Sequence, residues 1–362
     1  MNKLSTSSKN SMHTREITGA ILVLVLIPCI LFGNWYFFSL ILFLSIVGIH
    51  EILKAPGPNR YNFLIQGTVY VFVLSFIFWG TIKNYLRTGS FYVDGRLYAN
   101  DIFVSVTGII LYALILFLIA ISTTKIQLSD VTYLFTIGIV FALGMQGMLF
   151  LRFFPNNSGL IINGTRSFTP FWGGTTTFGH YFSDYYSYYN WNQSLASCVL
   201  FAFMLLGTWI SDVGAYFFGT FFGKHRMNPR ISPHKTWEGF FGGIGVSVVF
   251  SLGAAAIMEY CFHMPLVPGL IQFADSDLLK AMGLFGGHAW PMIVLLALMM
   301  PIVGNIGGFL FSLVKRQFGL KDFGKLFPGH GGVIDRFDSV MINSIALSII
   351  IFLTANGWSF VA

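Results

Sequence analysis

The sequence predicts an all-α, polytopic membrane protein with about nine transmembrane helices and a cytoplasmic N-terminus. Of its 362 residues, 55% are hydrophobic and only 10% are charged, whereas soluble domains carry about 25% charged residues. Apolar runs long enough to cross about 30 Å of hydrocarbon recur along the chain. Because backbone groups inside a bilayer need internal hydrogen-bond partners, we expect these runs to be helices.

Nine apolar runs define the predicted spans, and only the turn at Gly33-Asn34 separates the first two. We divide the chain into an N-terminal transmembrane scaffold of about five spans (1–152), an outer aromatic loop (153–195) and a C-terminal transmembrane domain of about four spans (196–362). The runs cover approximately residues 17–34, 35–54, 62–86, 102–122, 132–152, 196–222, 237–262, 289–314 and 333–356.

The distribution of Lys and Arg supports this topology, because short cytoplasmic loops are enriched in basic residues. With the N-terminus inside, the inner side holds 15 of the 21 Lys and Arg residues and the outer side holds the other six. The formal net charge of +7 therefore describes a basic inner face. Such a face suits anionic lipid or nucleotide and does not indicate a nucleic-acid-binding protein.

The first five spans carry few chemically reactive groups, and we assign them to scaffolding and to contacts between copies in a homodimer. His50 and Glu51 close the second span, where we interpret them as an interfacial polar pair. Residues 153–195 are rich in Tyr, Trp, Gly, Thr and Asn. Because such aromatic residues favour the membrane interface, we expect this segment to be an outer cap rather than an active site.

The sixth span differs because it contains Ser211 and Asp212 within "GTWISDVGAYFFGTFFGKH". A helix places Asp212 roughly 18 Å from the loop at Lys224, near the middle of the membrane. A charged carboxylate at that depth needs a polar cavity, a metal or a cation partner, although a buried hydrogen bond to a neighbouring helix is the alternative. Small residues allow close packing on one side of this span, namely Gly207, Gly214, Ala215 and Gly219.

A basic loop, "GKHRMNPRISPHKTWEGFFGG", follows the sixth span. We expect Pro229 and Pro233 to keep it irregular, and either Ser232 or Thr236 to cap the next helix. On the nine-span topology it shares a face with the C-terminal charged stretch. The two loops then form a candidate polyphosphate site, although the positive-inside rule alone also explains the charge. The polar residues of this loop are Lys224, His225, Arg226, Arg230, His234, Lys235 and Glu238.

The densest cluster of charge is "KRQFGLKDFGKLFPGHGGVIDRFD", residues 315–338. Its glycines, with Pro328, break regular structure and let backbone amides approach phosphate oxygens, and the helix that starts near Val333 favours anions at its N-terminus. Asp335 and Asp338 are three residues apart, so they share a helix face and suit a cation such as Mg²⁺. The alternative is a solvated loop whose acids pair with Arg336 and Lys325.

These motifs resemble the CDP-diacylglycerol synthases, also called phosphatidate cytidylyltransferases. The resemblance covers residues 207–245 and 304–339, and its most specific part is the C-terminal signature. One departure is that many members carry acidic residues where this chain has Gly308 and Phe311. The matching signature positions are Ser312, Lys315, Arg316, Lys321, Asp322, Pro328 to Gly332, Asp335, Arg336 and Asp338.

The resemblance implies a Mg²⁺-dependent enzyme that joins CTP to phosphatidic acid, releasing pyrophosphate and leaving CDP-diacylglycerol in the membrane. It implies that the C-terminal domain is catalytic and that metal is held by Asp335, Asp338 and Asp212. The implied catalytic group is Asp335, Asp338, Lys321, Asp322, His330 and Arg336. Substrate binding is assigned to Lys224, Arg226, Lys235, Ser312, Lys315, Arg316, Lys325, Gly331 and Gly332.

Two other functions compete with this interpretation. An intramembrane Asp and glycine-broken helices also occur in transporters, although the two halves of this chain show no internal repeat. A CTP-dependent lipid kinase would release CDP rather than pyrophosphate. The expected location is a bacterial inner membrane with the active site on the cytoplasmic face.

Overall fold

The computed structural model describes residues 6–78, 101–153, 193–261, 290–329 and 331–355. Within these ranges the chain forms nine α-helices, one for each apolar run, together with a two-stranded hairpin and a short π-helix, Ile257–Cys261. The helices are α1 (Thr6–Phe32), α2 (Asn34–Lys54), α3 (Phe63–Ile77), α4 (Asp101–Ser122), α5 (Leu128–Phe153), α6 (Gln193–Phe222), α7 (Trp237–Ala256), α8 (Trp290–Gln317) and α9 (Val333–Ala355).

Five helices in the described ranges are long and apolar enough to cross a membrane: α2, α5, α6, α7 and α8. Apolar stretches of α1, α3 and α4 are shorter, at 10–17 residues. Many large hydrophobic side chains on these helices are exposed, as expected for a surface that faces lipid. The structure thus confirms a predominantly helical membrane protein, while the number of spans stays a prediction.

The predicted break between the first two spans is present. Gly33 has a positive φ of 58°, a conformation that glycine adopts at little cost. The side chain of Arg152, at the end of α5, is buried against this turn. Its Nε donates to the Ile30 carbonyl at 2.7 Å and its guanidinium also donates to the Leu31 carbonyl at 3.3 Å. A buried cation therefore satisfies the last carbonyls of α1.

The N-terminal and C-terminal helices share one apolar core. Helix α9 packs against α5 through small residues: Ser344 Oγ donates to the Gly144 carbonyl at 2.8 Å, and Ser348 Oγ donates to the Gly147 carbonyl at 3.4 Å. The proposed scaffold is thus in direct contact with the helix that carries the signature aspartates. Most of the predicted outer loop, residues 154–192, lies outside the described residues.

The loop that we expected to be irregular is a hairpin. Strand β1 (Arg226–Asn228) pairs antiparallel with β2 (Ser232–Thr236). Pro229 lies in the turn. Pro233 lies in β2, and a two-stranded ribbon tolerates proline because each strand has one edge on which backbone N–H groups have no partner strand. Thr236 caps α7, since its side chain accepts from Gly239 N at 3.2 Å. Of the two caps considered from sequence, the structure selects Thr236.

Small residues bring α6 and α7 close together. The sequence predicts close packing on one side of α6, and the structure shows that the partner is α7. A methyl group at Gly214 would lie 2.9 Å from Val246 Cβ. Ser247 Oγ donates across the interface to the Gly207 carbonyl at 3.2 Å. This packing fixes the hairpin, which connects the two helices, above the part of α6 that carries Asp212.

Candidate active site

Charged side chains from four elements converge below the hairpin. Asp212 comes from α6, Lys235 from β2, Lys315 from α8 and Asp338 from α9. Lys235 interacts electrostatically with the other three side chains, the carboxylates of Asp212 and Asp338 and the ammonium of Lys315. The sequence-predicted residues from both blocks are therefore brought to one place, although 126 positions separate Asp212 from Asp338.

A cavity of about 220 Å³ lies beside this cluster. Asp212 is exposed to it, and Lys235, His234 and Asn305 add polar groups to its wall. The remaining wall is mainly apolar and aromatic. Asp212 thus has a cationic neighbour in Lys235, one of the alternatives that the sequence leaves open, and it faces a cavity whose wall is mainly apolar rather than polar. The apolar and small lining residues are Ala215, Tyr216, Met227, Gly239, Phe240 and Pro301.

The Lys235 ammonium is held in a defined position. Its Nζ donates to Asn305 Oδ1 at 2.7 Å and lies 4.6 Å from the centroid of the Phe309 ring, within the range of a cation–π interaction. Burial lowers the pKa of Lys235, and the carboxylates of Asp212 and Asp338 oppose this shift. The two carboxylates thus help to keep the ammonium of Lys235 charged in its partly buried position.

Gly308, one of the departures from the family pattern, makes room for Lys235. A Cβ added at Gly308 would lie 2.9 Å from Lys235 Nζ, so a longer side chain there would displace the ammonium. Phe311, the other departure, is fully buried. Its ring packs edge-on to the ring of Phe323, with 6.3 Å between the two ring centroids. The two positions thus contribute space and packing in this chain, rather than charge.

Asp335 is fully engaged by protein donors. Its Oδ1 accepts from Lys315 Nζ at 2.9 Å, and its Oδ2 accepts from Phe323 N at 2.7 Å and Gly332 N at 3.0 Å. Only 3% of the Asp335 side chain and 11% of the Lys315 side chain are exposed. The partner of Asp335 is therefore Lys315, not Arg336 or Lys325. These bonds tie the signature loop to α8 and α9.

Asp338 is less fully engaged than Asp335. Its Oδ1 accepts from Ser339 N at 2.6 Å and from Ser339 Oγ at 3.2 Å. Within the described residues, its Oδ2 has no hydrogen-bond donor. Asp338 therefore retains an acceptor that a cation or a ligand can use, whereas both oxygens of Asp335 already have donors.

No group of three or more His, Cys, Asp or Glu side chains among the described residues is placed to hold a metal ion. Mg²⁺ does not require such a group, because it commonly takes one or two carboxylates and completes its shell with waters and substrate phosphates. Asp338 and Asp212 fit that requirement, since they act on each other electrostatically and both retain acceptor capacity. Asp335 fits it less well because its oxygens already accept three hydrogen bonds.

The glycine loop differs from the expected phosphate cradle. Gly331 N donates to the Phe327 carbonyl at 3.0 Å, and Gly332 N donates to Asp335. Both amides that the sequence assigns to phosphate thus have protein partners. The loop forms a tight bridge between Phe327 and Gly331, in which Gly331 has a φ of 88°. The glycines are needed for this turn rather than for open amides.

The N-terminus of α9 also has a partner that the sequence did not reveal. Glu51, at the end of α2, is buried and accepts from Val333 N at 2.9 Å and Ile334 N at 3.0 Å. The expected anion at this helix end is therefore a carboxylate of the protein itself. The only signal in the sequence is an acidic residue at the end of an apolar span, a pattern that by itself indicates an interfacial residue.

The remaining predicted residues form an exposed basic surface around the hairpin and the signature loop. Arg316 connects the two, because its Nε donates to the Ile231 carbonyl at 3.2 Å and its NH1 donates to the Leu320 carbonyl at 3.0 Å. Ser312 is half-buried on α8, and His330 lies outside the described residues. The exposed members of the predicted site are Lys224, Arg226, Arg316, Lys321, Asp322, Lys325 and Arg336.

Comparison with known proteins places this chain in a family. The model of the Cytidylyltransferase family matches residues 13–354. A protein of Staphylococcus epidermidis strain RP62A named phosphatidate cytidylyltransferase is 38% identical over 157 residues, which are 43% of this chain and 49% of the relative.

Similar matches are found in two other staphylococci. Proteins of the same name in Staphylococcus haemolyticus (JCSC1435) and Staphylococcus aureus (COL) are 37% and 35% identical over 153 residues, or 42% of this chain and 48% of each relative. The chain thus aligns with about half the length of these curated relatives. The family model, in contrast, covers nearly all of the chain from α1 to α9, and on that match this chain belongs to the cytidylyltransferase family.

Proposed function

We propose that the protein transfers the cytidylyl group of CTP to phosphatidate, giving CDP-diacylglycerol and pyrophosphate. In this reaction a phosphate oxygen of the lipid forms a bond to the α-phosphorus of CTP, and the bond from that phosphorus to the β-phosphate bridging oxygen breaks. The observation that carries the proposal is the meeting of Asp212, Lys235 and Asp338 beside a cavity. It joins both signature blocks in one site, and the named relatives support the same reaction.

The protein groups act by positioning and by charge compensation. Both substrates are anions, so their approach requires cations that reduce the repulsion between phosphates. Lys235, held by Asn305, is placed to contact a phosphate that enters the cavity. Lys315 is fixed by Asp335 and contributes positive charge beside Asp338. No protein nucleophile is needed, because the lipid phosphate itself attacks.

We propose that Mg²⁺ is held by Asp338 and Asp212, with Asp335 supporting the loop around them. Bound there, the ion would neutralise charge on the nucleotide phosphates and on departing pyrophosphate. This assignment rests on the free acceptor of Asp338 and on the exposure of Asp212 to the cavity. The protein residues of the site keep the reacting groups oriented and leave the rest of the ion's shell to substrate and water.

The geometry favours different places for the two substrates. A cavity of about 220 Å³ is smaller than the roughly 300–1,000 Å³ typical of pockets for whole small molecules. Its mainly apolar wall suits the glycerol end of a lipid, with the phosphate at Lys235. The exposed basic residues of the hairpin and the signature loop suit the triphosphate of CTP, and we assign Lys224, Arg226, Arg316, Lys321 and Lys325 to it.

We further propose nine spans with the N-terminus inside, a homodimer, and a bacterial inner membrane with the site on the cytoplasmic face. The end of α2 contacts the start of α9, and Arg316 contacts the hairpin. Three segments that the charge distribution assigns to the inner side therefore lie at one end of the helices. Relatives from staphylococci support the bacterial assignment.

The test is to supply isolated membranes containing the protein with CTP and one lipid acceptor at a time. The proposal predicts pyrophosphate release only with phosphatidate. Release of CDP with a polyprenol or another lipid alcohol would instead identify a lipid kinase. CTP that stays intact with every acceptor, together with uptake of a solute, would favour a transporter. Membranes without the protein are the control.

A further inference from the structure

Glu51 belongs to the N-terminal half, yet its side chain ends inside the signature loop. It is 4% exposed, and its two carboxylate oxygens accept from Val333 N at 2.9 Å and Ile334 N at 3.0 Å. The partners are 282 and 283 positions apart in sequence. A Cβ at either Gly324 or Gly332 would overlap the Glu51 carboxylate. The loop therefore closes around Glu51 on two sides.

These contacts satisfy donors that have no local partner. The first amides of a helix lack intrahelical acceptors, and the residue that precedes α9 is Gly332, which has no side chain to cap them. Glu51 supplies both acceptors at once and also places a negative charge at the positive end of the helix dipole. The start of α9 is thus fixed by α2 in addition to the bonds that Asp335 makes with the signature loop.

The position of the first turn of α9 determines where Asp338 lies. Asp338 follows Val333 by five residues, or roughly 7.5 Å along the helix axis. Asp335 lies between them and connects the same turn to Lys315 and to Phe323 N. A shift of the first turn of α9 therefore moves Asp338 relative to Lys235 and Asp212, which belong to the hairpin and α6.

We propose that Glu51 is a positioning residue for the cytidylyl transfer, acting through the start of α9 on Asp338. This inference rests on the proposed function, but its structural part can be tested without it. The residue touches neither substrate in this account. Its effect is to hold the Asp338 carboxylate and the signature loop in the geometry that the reaction needs. A displacement of about 1 Å in such a group can cost about 100-fold in rate.

The test compares three variants in the full-length protein in lipid–detergent micelles. Glu51→Ala removes both acceptors, Glu51→Gln retains one, and His50→Gln changes the exposed neighbour on α2 as a matched control. For each variant, kcat and the KM for CTP are measured per folded molecule, with the folded fraction taken from size-exclusion chromatography. Trypsin cleavage after the exposed Lys321 and Lys325 reports on the loop independently of catalysis.

We expect Glu51→Ala to lower kcat by about 10- to 100-fold and to speed cleavage after Lys321 and Lys325. The KM for CTP should also rise, because these two lysines are assigned to its triphosphate. Glu51→Gln should fall between Ala and wild type, and His50→Gln should match wild type. A purely structural role would reduce the folded fraction but leave kcat per folded molecule unchanged, and that result would overturn the proposal.

Two further results are decisive. If Glu51→Ala does not fold, Glu51→Gln provides the comparison, and wild-type kcat and cleavage in that variant would reject the positioning role. If the wild-type protein makes no cytidine lipid, the proposed function fails by itself. The cleavage rates then test the anchoring by Glu51, and equal rates in Glu51→Ala and wild type would refute it.

Discussion

Replacing Asp335 tests whether this residue organises the site or holds metal directly. Asp335→Ala leaves the buried Lys315 ammonium without its partner, since the two side chains are only 3% and 11% exposed. Breaking a buried ion pair by removing one member costs about 3–5 kcal/mol of unfolding free energy. The amides of Phe323 and Gly332 also lose an acceptor, at about 1–3 kcal/mol for each buried donor left unpaired. We therefore expect a loss of at least about 3 kcal/mol.

The assay is reversible unfolding by SDS in mixed micelles, followed by far-ultraviolet circular dichroism. The double variant Lys315→Met/Asp335→Ala should be more stable than Asp335→Ala alone, because the unpaired buried cation is absent. Asp322→Ala, which changes an exposed acid of the same loop, is the matched control and should unfold like wild type. If Asp335→Ala unfolds like wild type and loses only turnover, our structural interpretation is wrong and Asp335 acts as a metal ligand.

The other predictions concern Lys235, which lines the cavity, and Arg152, which contacts the turn between α1 and α2. Burial lowers the pKa of Lys235 below the ordinary lysine value of 10.5, so raising the pH removes its charge earlier than for an exposed lysine. The KM for phosphatidate should rise on the alkaline side, and Lys235→Arg should move that rise to higher pH; identical profiles would exclude Lys235 as the titrating group. Arg152→Ala leaves the carbonyls of Ile30 and Leu31 without this donor, at about 1–3 kcal/mol for each buried group. It should lower stability in the same SDS assay without changing kcat per folded molecule, whereas a selective loss of kcat would contradict a role confined to the turn.

The helices could be predicted from the sequence because each depends on local apolar composition. Every predicted run corresponds to one described helix, and even the break at Gly33 follows from a local turn. The predicted close packing on one side of α6 also depends on local composition, namely its small residues, whereas the identity of the partner helix, α7, does not follow from it. The hairpin is not predicted because its strands are only three and five residues long and because Pro233, within β2, argues against a strand.

The sequence predicts which residues form the site but not the separate role of each. The sequence indicated that Asp212, Lys235 and Asp338 belong together, and the structure brings them together. It gave no basis for separating Asp335 from Asp338, because both are acids in the first two turns of one helix. Their partners differ, and those partners come from α8 and from the loop near residue 323.

Contacts between residues that are distant in sequence also explain why the structure differs from the expectation at Glu51 and at the glycine loop. Glu51 is a cap for α9 only because α2 ends beside Val333, and no local pattern in either segment predicts that contact. The amides of Gly331 and Gly332 looked open from sequence because a glycine turn can present its donors to a ligand. In the folded chain they bond to Phe327 and Asp335, so the same glycines serve the turn.

The most direct test of the central proposal uses purified protein in lipid–detergent micelles with cytidine-labelled CTP, phosphatidate and Mg²⁺. The measured quantity is labelled cytidine that extracts with lipid, for wild type and for Asp338→Asn, each with and without EDTA. We predict a cytidine lipid from wild type that requires the metal, and a loss of at least about 100-fold in folded Asp338→Asn. Folded wild-type protein that forms no cytidine lipid would contradict the assignment of this site to cytidylyl transfer.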